Sequence, residues 1–290
     1  MLARTVLRTI ARLGSVQVEN GASLLLGPWL QEGLLEGAGG YQGPGREIAG
    51  RIGLSFDVDF RADVEATDGL LAHLGRLGLA ASFACVGHWV REYPRQHQAI
   101  VAAGHEIINH TLTHPDNEEI DPARHFHRLA ATELRDQVAG AHRIIEDELG
   151  VSPMGFRTPH FGYQHTESVY PLLIELGYAF SSSTIASRTP SFGWPYRVAN
   201  GRLWEVPVSV CPHHPFSSFD TWHFVRKQPS RHAPTDLVRA LAGLLEESRP
   251  LPLCFYFDPQ DAASGGVCHE ALGLLAASGK QVGPLGGLIP

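Results

Sequence analysis

The sequence is poor in the features that mark disulfide-rich, membrane-spanning or nucleic-acid-binding proteins. Its four cysteines (Cys85, Cys211, Cys254, Cys268) lie far apart and form no CxxC pair. That spacing excludes a zinc knuckle and offers no disulfide framework, so a reducing compartment is expected. Cys85 and Cys254 sit inside apolar runs and read as small core hydrophobes. No stretch is long and apolar enough to span a bilayer. A basic surplus is also missing: the formal net charge of -7 gives a nucleic-acid backbone nothing to bind. Charged residues make up 18% against 43% hydrophobic, the balance of a chain with a sizeable buried core. Neither an internal repeat nor a low-complexity tract interrupts it.

The first residues, MLARTVLRTIARLGSV, lack the continuous apolar segment of a secretory signal, because Arg4, Arg8 and Arg12 break it. The spacing instead predicts a helix with Leu2, Val6, Ile10 and Leu13 on one side and arginines on another. Docking of that helix on its own domain is the plainer reading. Peripheral adhesion to an anionic membrane surface is the other, since basic amphipathic segments do this. The expected location is cytoplasmic, with the inner membrane face as the place of any such contact. Gly33 to Gly50 is rich in glycine and reads as a linker. Residues 1–49 are therefore expected to be an N-terminal helix and linker, and residues 50–290 one domain.

Beyond the linker, short apolar runs alternate with helix-like spacing. RIGLSFDVDF, LAASFACVG, HEIINH, MGFRTPHF, YAFSSS, RLWEVPVSV and PLCFYFDP read as strands. Helices are expected over Val64–Leu77, around Pro94–Ala103, and over Arg128–Leu149, Ser168–Leu176 and Asp236–Glu247. Such alternation implies parallel βα units in an α/β fold. Polar residues fall repeatedly just after a strand, where a β/α barrel places its active site.

Three strand ends carry chemistry. Asp57 and Asp59 are two apart, so an extended backbone turns both carboxylates to one face. His110 and His114 are four apart in HTLTH, and one helical turn or a tight loop brings both imidazoles to a single point. Two imidazoles and a carboxylate leave coordination positions open for water and substrate, the catalytic pattern for a divalent metal. Arg157 in GFRTPHFG stands at the third strand end, placed to hold a carboxylate and keep it ionised. Each motif alone has a bland reading: a capping aspartate, a structural histidine pair, a surface salt bridge. His105 reads as a structural contact and Trp204 as core.

In order and spacing, FDVD, HTLTH and FRTPHFG resemble the polysaccharide deacetylase superfamily (carbohydrate esterase family four), over about residues 50 to 262. The resemblance implies a distorted (β/α) barrel with fewer than eight regular strands. It also implies roles: Asp57 as catalytic base, Asp59, His110 and His114 as ligands to zinc or to another divalent ion such as cobalt or nickel, and Arg157 as the residue that orients Asp57. The loop Pro159, His160, Phe161 would meet the substrate, with a backbone N–H near His160 stabilising the oxyanion.

Two positions depart from the family's pattern. Asp258 stands in CFYFDPQD where a histidine that protonates the leaving amine is expected, and Ser181 stands where an aspartate often supports that histidine. Three readings stay open. Asp258 is itself the acid, its pKa raised by burial and nearby carboxylates. A histidine from elsewhere (His160, His213, His214 or His223) supplies the proton. Or hydrolysis is lost and carbohydrate binding remains. In the aromatic stretch 212–232, Trp222 or Phe224 is expected to stack on a sugar, with an ordinary loop as the equal alternative. The function expected is removal of an N-acyl group, acetyl above all, from an amino sugar in a glycan or sugar precursor. Deformylation of a lipid-linked amino sugar is the enzymatic alternative.

Overall fold

The computed structural model describes residues 1–160, 167–226 and 233–290. Its strands are β1 (Ile52–Val58), β2 (Ser82–Cys85), β3 (Glu106–Asn109), β4 (Gly155–Phe156), β5 (Phe180–Ser181), β6 (Tyr196–Val198), β7 (Leu203–Glu205), β8 (Val210–Cys211), β9 (His214–Ser218), β10 (Leu253–Phe257) and β11 (Val282–Gly283). The helices are α1 (Leu2–Leu13), α2 (Val16–Gly39), α3 (Arg61–Leu77), α4 (Gly87–Glu92), α5 (Pro94–Ala102), α6 (Ala131–Leu149), α7 (Tyr170–Glu175), α8 (Thr235–Glu246), α9 (Pro259–Ala263) and α10 (Val267–Ala277).

One sheet runs in the order β10-β1-β2-β3-β4-β5-β7-β6, with β11 beside β1. Every pair from β10 to β7 is parallel, and only the edge strand β6 is antiparallel. Beyond β7, an isolated bridge joins Ile185 to Val208, and the Ser209 N–H donates to the Cys254 carbonyl at 2.8 Å. These links carry the chain back to β10 and curl the sheet into the distorted barrel expected. β8 and β9 form a separate hairpin.

The strand pattern explains the layering. Along β1, Leu54, Phe56 and Val58 join the core under the helices, while Ser55 and Asp57 turn to the barrel interior. Gly78 and Gly150 end α3 and α6 in the left-handed conformation that lacks a Cβ penalty (φ 66° and 68°). α6 starts three residues later than the spacing predicted, because the Glu133 carboxylate accepts from the Ala130 N–H (2.8 Å) and fixes the first turn there. All four cysteines are buried and unbridged, as core thiols should be.

The glycine-rich linker is a correction. α2 continues through it to Gly39, across a stretch whose composition predicts a loop. A Cβ at Gly33 would lie 2.6 Å from the Ala3 backbone, and one at Gly37 would lie 2.7 Å from the Phe192 ring. These glycines let α1 and Phe192 approach the helix backbone closely, so close packing rather than flexibility accounts for them. The hairpin of α1 and α2 buries Leu7, Leu30, Leu34 and Ala38 in one cluster with Ile185, Phe192 and Trp194.

Candidate active site

β1 delivers Asp57 near its end, and the chain then turns so that Asp59 stands at the barrel mouth. Three neighbours fix that turn. The Asp59 carbonyl accepts from Trp89 Nε1 (2.8 Å) and Asn117 Nδ2 (2.7 Å). The Asp59 N–H donates to Asp63 Oδ2 (3.3 Å), which also accepts from the Phe60 N–H (3.0 Å). Burial, then the neighbouring Asp59 charge, pushes the Asp63 carboxyl up to about 7.

β3 ends at Asn109, and HTLTH forms a tight loop rather than a helical turn. Thr111 and His114 both have positive φ (69° and 51°), uncommon for residues with a Cβ and a real cost for β-branched threonine. Hydrogen bonds hold the loop: the Thr111 N–H donates to Asn109 Oδ1 (2.8 Å), the His114 N–H to Thr111 Oγ1 (3.1 Å), and the Leu112 and Thr113 N–H groups to Gln137 Oε1. The result sets His110 Nε2 3.2 Å from Asp59 Oδ1 and His114 Nε2 3.5 Å from Asp59 Oδ2.

β4 ends at Phe156, which places Arg157 in the barrel interior with no exposed surface. Its Nη1 pairs with Asp57 Oδ1 and donates to Ser55 Oγ (3.0 Å); Nε donates to the Ser182 carbonyl (3.1 Å) and Nη2 to Ser182 Oγ (3.1 Å). Burial raises the Asp57 carboxyl above the ordinary range and the Arg157 charge opposes it. Asp59 moves the other way: burial is outweighed by the His114 and His110 imidazoles, which hold it ionised. Burial depresses His114 to about 3, so its ring is neutral and can ligate.

Asp59, His110 and His114 offer ligand atoms within 4.8 Å of one another. The set fits a small divalent cation on its own chemistry. His110 Nδ1 is engaged with the Arg157 carbonyl at 2.8 Å, which turns its Nε2 toward Asp59; burial lowers the His110 pKa, but the Asp59 carboxylate more than offsets it. Asp59 Oδ1 is buried and accepts no hydrogen bond, despite that nitrogen 3.2 Å away. Nε2 and Oδ1 converge in a buried site, where a divalent cation between them would satisfy both.

These groups line a cleft of about 280 Å³ whose far wall includes Phe216, Asp220, Trp222, His223, Tyr256 and Asp258. Asp258 is buried; its Oδ2 lies 3.3 Å from Thr221 Oγ1 and 3.4 Å from Arg226 Nη2. Burial, and then Asp63, raises its carboxyl well above the usual range, while Arg226 opposes. Burial pushes Asp220 up to about 6, against hydrogen bonds from Ser218 and the His223 N–H.

Of the residues singled out in the sequence, Asp57, Asp59, His110, His114, His160, Trp222, His223 and Asp258 all face this cleft. Arg157 stands directly behind Asp57. The His160 ring lies 4.9 Å from the His114 ring. Pro159 is buried beside His160 and does not line the cleft, and Phe161 lies outside the described residues. Phe224 is a correction: it is fully buried against Phe219, so only Trp222 of that pair is placed to meet a sugar. His213 and His214 stand apart from the cleft, with His214 Nε2 2.8 Å from Asn20 Oδ1. Ser181 donates to Ser183 Oγ (2.8 Å), away from Asp258. Asp63, Asp220, Arg226 and Tyr256 went unnoticed in the sequence. Period-two alternation from Cys254 to Asp258 puts Tyr256 on the inner face and was the one available signal.

The polysaccharide deacetylase family model matches residues 45–181. This match places that span, a little under half of the chain, in the polysaccharide deacetylase superfamily. The matched span contains Asp57, Asp59, His110, His114 and Arg157, and ends before Asp220, Trp222 and Asp258. A chitooligosaccharide deacetylase from Bradyrhizobium sp. (strain ANU 289) is 29% identical over 115 residues, 39% of this chain and 48% of that protein. The chain thus spans about half the length of this curated relative. Among solved structures, a Mycobacterium smegmatis protein assigned as a polysaccharide deacetylase superposes with TM-score 0.65 at 19% identity, covering 83% of this chain and 88% of that one. A Bacillus anthracis pseudoenzyme of carbohydrate esterase family four superposes with TM-score 0.56 at 18% identity, covering 83% and 66%. At such identities the likeness establishes the superfamily's barrel and no more. The superfamily's fold thus accommodates both active and silent members.

Proposed function

We propose that this chain is a metal-dependent amide hydrolase that removes an N-acyl group, acetyl above all, from an amino sugar in a glycan or sugar precursor. The observation that carries the reading is the buried Asp57–Arg157 ion pair set beside the Asp59, His110, His114 cluster in one cleft. A merely structural ion pair has no use for a metal-ready donor set next to it, whereas a hydrolytic base does. One carboxylate and two imidazoles suit zinc, with cobalt or nickel as alternatives. A bound divalent ion would supply polarisation of the scissile carbonyl and a more acidic attacking water.

The chain's own residues supply the proton transfers. Arg157 occupies Asp57 Oδ1, which leaves Oδ2 to take the water's proton. Ser55 and Ser182 hold the guanidinium, so the base is fixed from behind. Asp258, whose carboxyl burial raises well above the usual range, gives its proton to the departing amine, and Arg226 at 3.4 Å stabilises the carboxylate charge left behind. That cation favours Asp258 over Asp220 as the donor. His160 borders the acyl group, and Trp222 stacks on the sugar ring.

The printed name of the Bradyrhizobium relative makes N-acetylglucosamine oligomers the first substrates to try. Amine release should require added zinc and vanish in Asp57→Asn. Unchanged turnover in His110→Ala would overturn the mechanism. Asp258 and Ser181 favour one rival, a silent carbohydrate-binding protein: it survives only if wild type is inactive and Asp258→His gains turnover. Comparison of formyl with acetyl substrates separates the lipid-linked deformylase alternative.

A further inference from the structure

Two backbone groups fix the direction of a hydrogen-bond chain that runs from the HTLTH loop to the surface of α6. The Thr111 N–H can only donate, and it donates to Asn109 Oδ1 at 2.8 Å. The Val138 carbonyl on α6 can only accept, and it accepts from Asn109 Nδ2 at 2.9 Å. The buried Asn109 amide therefore faces one way. Its second Nδ2 hydrogen goes to the Tyr178 hydroxyl oxygen at 2.7 Å. That hydroxyl still has its own proton to place, and its other partner among the described residues is His142 Nδ1 at 2.9 Å. A buried hydroxyl proton without an acceptor is costly, so Tyr178 donates and His142 Nδ1 accepts. His142 then carries its own proton on Nε2, 3.3 Å from Glu146 Oε1 at the surface. Burial pushes the Tyr178 hydroxyl above its ordinary value, against the Asn109 hydrogen bond, which keeps that proton in place.

The inner end of this chain is the strained part of the loop. Thr111 is β-branched, buried and at φ 69°, a conformation that persists only where the surroundings over-determine it. Every N–H from Thr111 to His114 has a fixed acceptor. Asn109 Oδ1 takes the first, Gln137 Oε1 the next two, and Thr111 Oγ1 the last. Gln137 and Val138 are neighbours on α6, and His142 follows Val138 by one helical turn. One helix thus supports the loop through three of its residues, with Tyr178 as the bridge to His142.

We propose that Tyr178 and His142 are positioning residues for the Asp59, His110, His114 cluster. They complete the hydrogen bonds of the Asn109 amide, and that amide holds Thr111 in the conformation that turns both imidazoles to Asp59. The inference rests on the metal site proposed above. Neither residue lines the cleft, so both act through Asn109 and not on a substrate. Partners placed behind a ligand set in this way fix its geometry and so its affinity for a cation.

Zinc titration calorimetry of the chelator-stripped full chain, with histidine nitrogen NMR of the same metal-free samples, tests this. Tyr178→Phe keeps the ring against Phe156 and removes only the hydroxyl. It should weaken zinc binding by about tenfold or more, and His142→Leu should do the same. His142→Asn, whose Oδ1 can stand where Nδ1 stood, should stay within about threefold of wild type. In metal-free wild type the His142 signals, assigned by their loss in His142→Leu, should report the Nε2–H tautomer, and Tyr178→Phe should abolish that fixed state. The His142 pair decides the matter if Tyr178→Phe does not fold. The proposal is overturned if wild type binds zinc and Tyr178→Phe and His142→Leu bind it equally well, whatever their thermal melts. It is overturned equally if His142→Asn loses as much affinity as His142→Leu, or if His142 of metal-free wild type carries its proton on Nδ1. A wild type that binds no zinc overturns the metal site itself, and this inference with it.

Discussion

Replacing Arg157 with methionine tests how the base is built. The substitution keeps roughly the side-chain length and removes the guanidinium. Asp57, 3% exposed, then has no cation at its Oδ1, and Ser55 Oγ, Ser182 Oγ and the Ser182 carbonyl lose a donor. Removing one member of a buried ion pair typically costs about 3–5 kcal/mol, because the remaining charge stays desolvated. That is a large share of the roughly 5–15 kcal/mol by which a domain is stable. Urea unfolding followed by circular dichroism reads the loss as a lower midpoint with an unchanged slope. Asp57→Asn with Arg157→Met removes both charges, and should recover about 1–3 kcal/mol of the single-variant loss. The pH dependence has a definite sign. Burial already raises the Asp57 pKa and Arg157 opposes the rise, so its removal raises the folded-state value further. A raised folded pKa gives stability that is present at low pH and lost as pH rises through it. The deficit of Arg157→Met should therefore grow as pH rises above the ordinary carboxylate range. A small deficit, flat with pH, would refute the claim that Arg157 is there to keep Asp57 ionised.

Three further outcomes are expected. Asp258→Asn should abolish amine release at every pH while zinc binding persists; retention of turnover in Asp258→Asn and its loss in Asp220→Asn would move the acid to Asp220. Asp220, pushed up to about 6 by burial, withdraws stability as pH rises through about 6, so Asp220→Asn should gain up to about 3 kcal/mol over wild type at pH 8 and little at pH 4, by urea titration. Gly155→Ala sets a Cβ 2.2 Å from the Phe180 ring and 2.7 Å from Ile108 Cγ2, and should cost about 1–3 kcal/mol in the same assay.

The convergence of Asp57, Asp59, His110 and His114 was legible because each motif sits at the end of a parallel strand. Asp59 follows Asp57 by two residues just past the end of β1, and His110 and His114 are four apart in one loop, so each pair stays close whatever the rest of the chain does. The far wall of the cleft was less so. Arg226 and Thr221 reach Asp258 only through the loop after β9, and no local periodicity records that contact. Asp63 caps α3 and also steers Asp59, a second role that follows only from the turn between them. Phe224 and Trp222 are equally aromatic, and a π-helical turn alone decides which is buried. The glycines of α2 misled because loops and close helix packing favour the same residue, and the difference lies in what packs opposite Gly33 and Gly37.

The central claim is that Asp59, His110 and His114 hold a divalent ion, and zinc titration calorimetry of chelator-stripped protein tests it most directly. Wild type should bind one zinc per chain, while His110→Ala, His114→Ala and Asp59→Ala should each weaken binding at least about 100-fold, with Asp57→Asn retaining it. Zinc binding that is absent in wild type, or undiminished in all three ligand variants, would contradict it.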